Sequence, residues 1–314
     1  MFRPLFKILS PAGSSAKLSI FIFHRVLPAA DPLMPFEPSA RQFEWMARLL
    51  ARNFTVLPLR EAAQRLMDGT LPAAAAAITF DDGYVDNLEV AWPILQRHGL
   101  PGTFFIATAF LDGGRMWNDE IIEAVRLAPS VPLDLKAFGL GQYQVDGVES
   151  RIACYSAILG QLKYFEHDRR AQVAQEIGRQ SGVPEHCNLM MTSSELRTLR
   201  AAGADIGAHT HTHPILECMD DLRAFKEIEE GKLELEAILG DSVQLFAYPN
   251  GVPGRDCSER HGEMVRHLGF EAAVTTEPRC SNRSANPYHL SRFTPWDRTP
   301  VRFAVRCLMQ LRKN

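Results

Sequence analysis

The 314-residue chain is 46% apolar and 23% charged, too apolar for a disordered segment and long enough to bury a large core, so one folded α/β domain over 1–314 is expected. Its formal charge of −3 supplies no molecule-wide field for nucleic acid or anionic membrane, and recognition must come from a local site. Six scattered cysteines with no C-x-x-C pair exclude a zinc ribbon or redox motif and predict free buried thiols in a reducing compartment.

Taken in chain order, residues 1–17 carry Arg3 and Lys7, and Lys7 interrupts their only apolar stretch, so no export signal is expected and the chain reads as cytoplasmic. An apolar, β-branched run at 18–23 reads as the first strand. Residues 39–52 then show a helical period: Ser39 and Gln42 form a capping-box pattern, and Phe43, Met46, Ala47 and Leu50 make one apolar face. Strand-like runs follow at 54–57, 76–80, 103–107, 205–208, 243–247, 271–275 and 289–293. Helical periods lie between many of them, at 59–67, 85–97, 193–202, 222–239 and 257–268, with Gly203 and Gly269 as stop signals. About seven to eight strands with helical crossovers predict a parallel sheet curled into a (β/α) barrel, complete or distorted, with a doubly wound open sheet as the alternative. Residues 111–191 break the rhythm with helical stretches at 119–127 and 151–179 and no convincing strand. They read as a helical insertion overhanging the strand-end mouth, where catalytic sites of such folds sit.

Two constellations carry chemistry. Thr79-Phe80-Asp81-Asp82-Gly83 sits where the run AAAAITF stops; adjacent carboxylates leaving a strand point differently, so one can bind a cation while the other stays free as a base. Ile206-Gly207-Ala208-His209-Thr210-His211-Thr212-His213-Pro214 ends another strand. His209 and His213 are four apart, the spacing of two imidazoles on one side of a helical turn, within reach of one ion at ~2.0–2.1 Å per Zn–N bond, and His211 points elsewhere. One carboxylate with two imidazoles leaves open positions for water and substrate, as catalytic metal sites do. Zinc is the default ion, and Fe, Co or Mn fits the same ligand types.

The ordered motifs TFDDG, HTHTHP and FAYPNG resemble the polysaccharide deacetylases of carbohydrate esterase family four, the chitooligosaccharide-deacetylase homology domain, and among them the deacetylases of exopolysaccharide gene clusters. The resemblance spans roughly 18–294 apart from the insertion. It implies a distorted β/α barrel, Asp81 as catalytic base, Asp82, His209 and His213 as metal ligands, and removal of N-acetyl groups from amino sugars of a glycan. A backbone N–H between Tyr248 and Asn250 would hold the oxyanion. The chain departs from the pattern at Ala247, where the family has the arginine that orients the base; Arg292 in HLSRF is the candidate replacement. The family's late Leu-x-x-His acid has no clear match, His289 being out of register. His24, in FIFHRV, resembles an early histidine of some relatives and is a candidate pocket residue.

Two other readings stand beside this one: a metal-dependent amidohydrolase of a small amide or ureide, and a catalytically degenerate glycan-binding module. An open groove lined by Trp117, Trp296 or Tyr248 would favour a glycan, a closed pocket a small substrate. The basic, partly amphipathic tail at 300–314 is expected to dock on the barrel, with peripheral contact to the cytoplasmic membrane face as the weaker alternative. Nothing in the sequence sets an oligomeric state.

Overall fold

The computed structural model describes residues 2–129, 131–185, 188–295 and 297–312. Its centre is a parallel sheet whose strands are β1 (Ser19–Phe23), β2 (Thr55–Val56), β3 (Ala75–Phe80) and β4 (Thr103–Ile106), then β7 (Asp205–Ala208), β8 (Leu245–Ala247), β9 (Ala272–Val274) and β10 (Arg292–Phe293). The order is β10-β1-β3-β4-β7-β8-β9, with β2 added beside β3. A bridge between Val274 and Leu290, just before β10, joins the two ends, so the sheet is a nearly closed, distorted barrel. All eight strand-like runs of the sequence fall on these strands.

The strands read as continuous apolar runs because both faces are buried. Alternate residues separate cleanly: Phe21, Ile78, Phe104 and Phe246 pack in the layer under the helices. Ile20, Ala77, Phe105 and Ala247 belong to a second cluster closed by Leu59, Ala62 and Leu66. The alanine run supplies interior side chains small enough for a narrow barrel.

The surrounding helices are α1 (Arg3–Leu9), α2 (Ala40–Asn53), α3 (Leu59–Asp68) and α4 (Trp92–Arg97), then α5 (Trp117–Leu127), α6 (Val148–Leu162), α7 (His167–Gln180) and α8 (Ser193–Ala201), and finally α9 (Asp221–Leu239), α10 (Glu259–His267) and α11 (Pro300–Arg312). Ser39 caps α2 through the reciprocal bonds its sequence predicts, with its N–H donating to Gln42 Oε1 at 2.8 Å. Losing such a cap costs about 1 kcal/mol. In α11, Phe303, Ala304, Cys307 and Leu311 are buried, and the helix packs on α1 and α2.

The structure differs from expectation at several places. The stretch 151–179 is two helices: α6 ends at Leu162 with Lys163 as its C-cap, and Glu166 caps α7 by accepting from the Arg169 N–H. Between α5 and α6 a short antiparallel hairpin pairs β5 (Leu133–Asp134) with β6 (Gln142–Tyr143), too brief to show a two-residue alternation in the sequence. These elements share a separate apolar cluster that includes Ile121, Val125, Ile158 and Ile177. The helix expected at 85–97 opens with a wide turn at Asn87–Ala91 before α4. Cys154, Cys257 and Cys307 are buried free thiols, Cys218 is an exposed one contrary to expectation, and Cys187 lies outside the described residues.

Candidate active site

The two motifs meet where β3 and β7 end. β3 closes at Phe80, and Asp81 and Asp82 leave the strand, both buried. Asp82 turns at φ +80°, which redirects its side chain away from the strand alternation. His209 leaves β7 at 1% exposure. The segment 209–213 is a loop with left-handed Thr210 (φ +64°) and His213 (φ +56°), not the helical turn that the spacing suggested. The Thr210 hydroxyl accepts from the His213 N–H at 3.1 Å and so fixes that turn. Such strained non-glycine conformations persist only where the surroundings over-determine them, and they gather at functional sites. Asn250 (φ +59°) is another.

Nε2 of His209 lies 3.5 Å and Nε2 of His213 lies 3.4 Å from Asp82 Oδ1. One ligand atom from each of these three residues falls within 4.8 Å of the others. Nδ1 of His209 donates to the Ala247 carbonyl at 2.7 Å, which leaves the Nε2 lone pair facing Asp82. Asp82 Oδ1 is buried without a hydrogen-bond partner in the protein, as is Nδ1 of His213. A buried carboxylate oxygen facing two imidazoles with nothing to accept is the environment a divalent cation satisfies, and the donor set fits one. Burial would raise Asp82, but the neighbouring His209, His213 and His24 hold it well below the usual carboxylate range. Burial pushes His213 down to about 3, so it is neutral, as a ligand must be.

Asp81 is the second carboxylate, 3.8 Å from His209 Nε2. Arg292 grips it with two hydrogen bonds, 2.7 Å from Nη1 and 2.8 Å from Nη2. Burial alone would raise the Asp81 carboxyl; Arg292 and His209 bring it below its ordinary value. Arg292 is itself fully buried, donates to Thr79 Oγ1 at 3.1 Å and to the Thr275 carbonyl at 3.2 Å, and stacks its guanidinium 5.5 Å from the Phe105 ring centre. The cation absent at Ala247 therefore arrives from β10.

A cavity of about 440 Å³ opens over this group. His24, Asp81, Asp82, His209, His213 and Asn250 line it on the barrel side; Trp117, Leu159 and Lys163 of the 117–163 segment close the other. The His24 loop is anchored by Arg25, whose Nε donates to Asp86 at 2.8 Å, and by Asn87, which donates to the His24 carbonyl. Tyr248 is a correction to the sequence reading: its side chain is buried outside the cavity, stacked on His289 with its hydroxyl donating to the Tyr288 carbonyl. Trp296 lies outside the described residues. His211 points away from Asp82, His209 and His213, its Nδ1 beside Glu234 and Thr108.

Several contributors had no signal in the sequence. Glu227 of α9 accepts from both the N–H and the hydroxyl of Thr212 and so holds the histidine loop. Gly231 allows α9 to approach: a Cβ there would sit 2.5 Å from the Thr210 carbonyl carbon.

The Polysaccharide deacetylase family model matches residues 68–129 and 168–273. YxkH of Bacillus subtilis (strain 168), assigned by its name to the polysaccharide deacetylases, is 20% identical over 278 residues, 88% of this chain and 71% of its own length. Among solved structures, the Streptococcus pyogenes deacetylase PplD, in complex with acetate, superposes with a TM-score of 0.62 at 16% identity, covering 94% of this chain and 98% of its own. IcaB from Ammonifex degensii gives 0.60 at 19%, covering 96% and 98%. The family match spans both site motifs and more than half of the chain, and the chain belongs to the polysaccharide deacetylase family, hydrolases that act as carbohydrate N-deacetylases.

Proposed function

We propose that the protein is a divalent-metal-dependent hydrolase that removes N-acetyl groups from amino sugars of a polysaccharide or oligosaccharide. The observation that carries this reading is the convergence of Asp82, His209 and His213 beside an arginine-clamped Asp81. Bound by those three residues, a cation, zinc by default and Fe, Co or Mn by the same donors, would polarise the acetyl carbonyl and lower the pKa of a water.

The protein's own groups account for the rest. Asp81 takes the proton from the water whose oxygen joins the carbonyl carbon; Arg292 orients that base and keeps it ionised. Of Tyr248 to Asn250, the Tyr248 N–H is used by the Val274 carbonyl and Pro249 has none, which leaves the Asn250 N–H as donor to the developing oxyanion. His24 is a third imidazole facing the cavity and is not among the three ligand-set residues, and we assign it the proton that the amine takes as the carbon–nitrogen bond breaks. The products are acetate and a free amino sugar.

The test is acetate release from N-acetylglucosamine oligomers by purified protein, with and without a chelator, comparing wild type, Asp81→Asn and His209→Ala. Metal-dependent release lost in both variants supports the reading. Hydrolysis of a small amide or ureide alone would favour the amidohydrolase alternative; bound metal without any turnover would favour a glycan-binding module.

We also propose that the surface around α11 meets an anionic membrane, on the cytoplasmic side. Val301, Val305 and Met309 form an exposed stripe at helical spacing, Leu5 and Ile8 of the adjoining α1 are exposed as well, and Arg3, Lys7 and Arg302 accompany them. Sedimentation with vesicles containing anionic lipid, lost in a Val305→Ser, Met309→Ser double variant that remains folded, is the expected result. Equal sedimentation of both proteins would end the idea.

A further inference from the structure

The cations on the barrel side of the site have carboxylate partners, buried Arg292 with Asp81 and partly buried Arg25 with Asp86. At the opposite wall of the cavity two cations break that pattern. Arg170 of α7 is 3% exposed, and all of its hydrogen bonds among the described residues go to neutral acceptors. Nη1 donates to the Lys163 carbonyl at 2.9 Å, Nη2 meets His167 Nδ1 at 3.0 Å, and Nε is buried with no partner. The Thr212 hydroxyl, which donates to Glu227, must accept from His167 Nε2–H, so His167 Nδ1 is the lone pair and its imidazole is neutral. Lys163 is half-buried, and its ammonium has no carboxylate within ion-pair distance among the described residues. Burial lowers the pKa of both cations. A buried guanidinium without an anion carries an uncompensated desolvation cost of several kcal/mol.

The two cations stand together at the edge of the active site. Lys163 lines both the 440 Å³ cavity over the metal group and an adjoining cavity of about 120 Å³. Arg170 lines the smaller one and stacks 4.9 Å from the ring centre of Trp117, which lines the larger. Pro214, next to His213, borders the smaller cavity too. Its two acidic residues are engaged elsewhere: Glu166 and Asp220 accept from the N–H groups of Arg169 and Arg223 at the starts of α7 and α9. A space of that size admits one oxyanion with a few waters at about 30 Å³ each.

We propose that Lys163 and Arg170 form a subsite for an oxyanion, a carboxylate or a phosphate, carried by the glycan beside the sugar being deacetylated. The substrate is then an acidic glycan and not a neutral homopolymer. Arg170 supplies a guanidinium charge on the cavity wall that no carboxylate neutralises, and Lys163 adds a mobile charge on the path between the two cavities. The inference rests on the deacetylase reading for its substrate, though not for its binding site.

The test uses metal-loaded protein. Acetate release is compared across matched oligomers of N-acetylglucosamine alone, alternating with a uronic acid, and joined by phosphodiesters, while binding of inorganic phosphate is measured by calorimetry. We expect kcat/KM for one acidic class to exceed the neutral oligomer about tenfold or more, the better class naming the source of the charge. Lys163→Gln and Arg170→Met should bring that ratio toward one and weaken phosphate about tenfold. Phosphate held at the metal would be indifferent to Lys163→Gln, which also keeps the test sound if Arg170→Met fails to fold. A wild-type ratio near one, or a preference and phosphate affinity untouched by Lys163→Gln, overturns the subsite and leaves the deacetylase reading intact. Lys163-dependent phosphate binding without acetate from any oligomer would do the reverse.

Discussion

Arg292 holds both carboxylate oxygens of Asp81, at 2.7 and 2.8 Å, with neither residue more than 2% exposed. Removing one partner of such a pair leaves a buried charge, at a cost of about 3–5 kcal/mol. Arg292→Met should therefore lower stability by that order and acetate release by about 10²-fold or more. Asp81 is held below its ordinary value, so the base is competent above that depressed pKa; without Arg292 the acidic limb of kcat/KM against pH should move upward. Arg292→Lys, which keeps charge but cannot grip both oxygens, should recover the limb better than the rate. An unmoved limb and an unchanged rate would show that the pair does not serve the base.

Metal content should be about one ion per chain, fall on chelation, and be lost in His209→Ala and Asp82→Ala. Because an ion binds the folded state only, loading to 100 times Kd should add about 2.7 kcal/mol of stability. Mass-spectrometric metal analysis and thermal melts with and without chelator measure both. Full occupancy in His209→Ala would remove that residue from the ligand set.

Asp119 on α5 is buried against the Tyr84 hydroxyl, 3.1 Å away, and burial pushes its carboxyl up to about 7. A carboxyl raised in the folded state binds its proton more tightly there than in the unfolded chain, so its contribution favours folding at low pH. That contribution declines as pH rises from about 4 to about 7. Asp119→Asn should flatten this slope and gain up to a few kcal/mol relative to wild type at pH 7.5 against pH 5. Urea denaturation of both proteins at the two pH values gives the double difference, and a difference of zero contradicts the raised pKa.

Gly231→Ala tests how the histidine loop is positioned. The added Cβ would lie 2.5 Å from the Thr210 carbonyl carbon and 3.0 Å from the His211 nitrogen, so α9 or the loop must shift. We expect a loss of about 1–3 kcal/mol from overpacking, accompanied by weaker metal binding, although Gly231 touches neither ligand imidazole. Titration with zinc against a competing chelator, beside a denaturation curve, separates the two effects. Unaltered metal affinity in a destabilised protein would mean that the loop holds its own geometry.

The sequence was legible where a rule is local. Ser39 and Gln42 marked the start of α2, and the uninterrupted apolar runs marked strands buried on both faces. It misled where the chain departs from regular periodicity. His209 and His213 read as a helical spacing, yet Thr210 and His213 take left-handed conformations enforced by a hydroxyl bond and by α9 behind them. Tyr248 read as a pocket residue because its motif is at the site, but strand alternation around β8 turns its ring toward Phe246 and His289.

By itself, then, the sequence determined the barrel class and the two carboxylate and imidazole motifs, because strand runs, caps and strand-end motifs are written within a few residues of one another. Only the tertiary structure decided what reaches those motifs from afar. Arg292 meets Asp81 across 211 positions of chain, and Lys163 shares a cavity with Asp82, His209 and His213, with Arg170 stacked on Trp117 of the same wall, because α6 and α7 fold back over the barrel mouth. Such encounters depend on how closed sheets and packed helices bring distant residues together, and no short-range pattern encodes them.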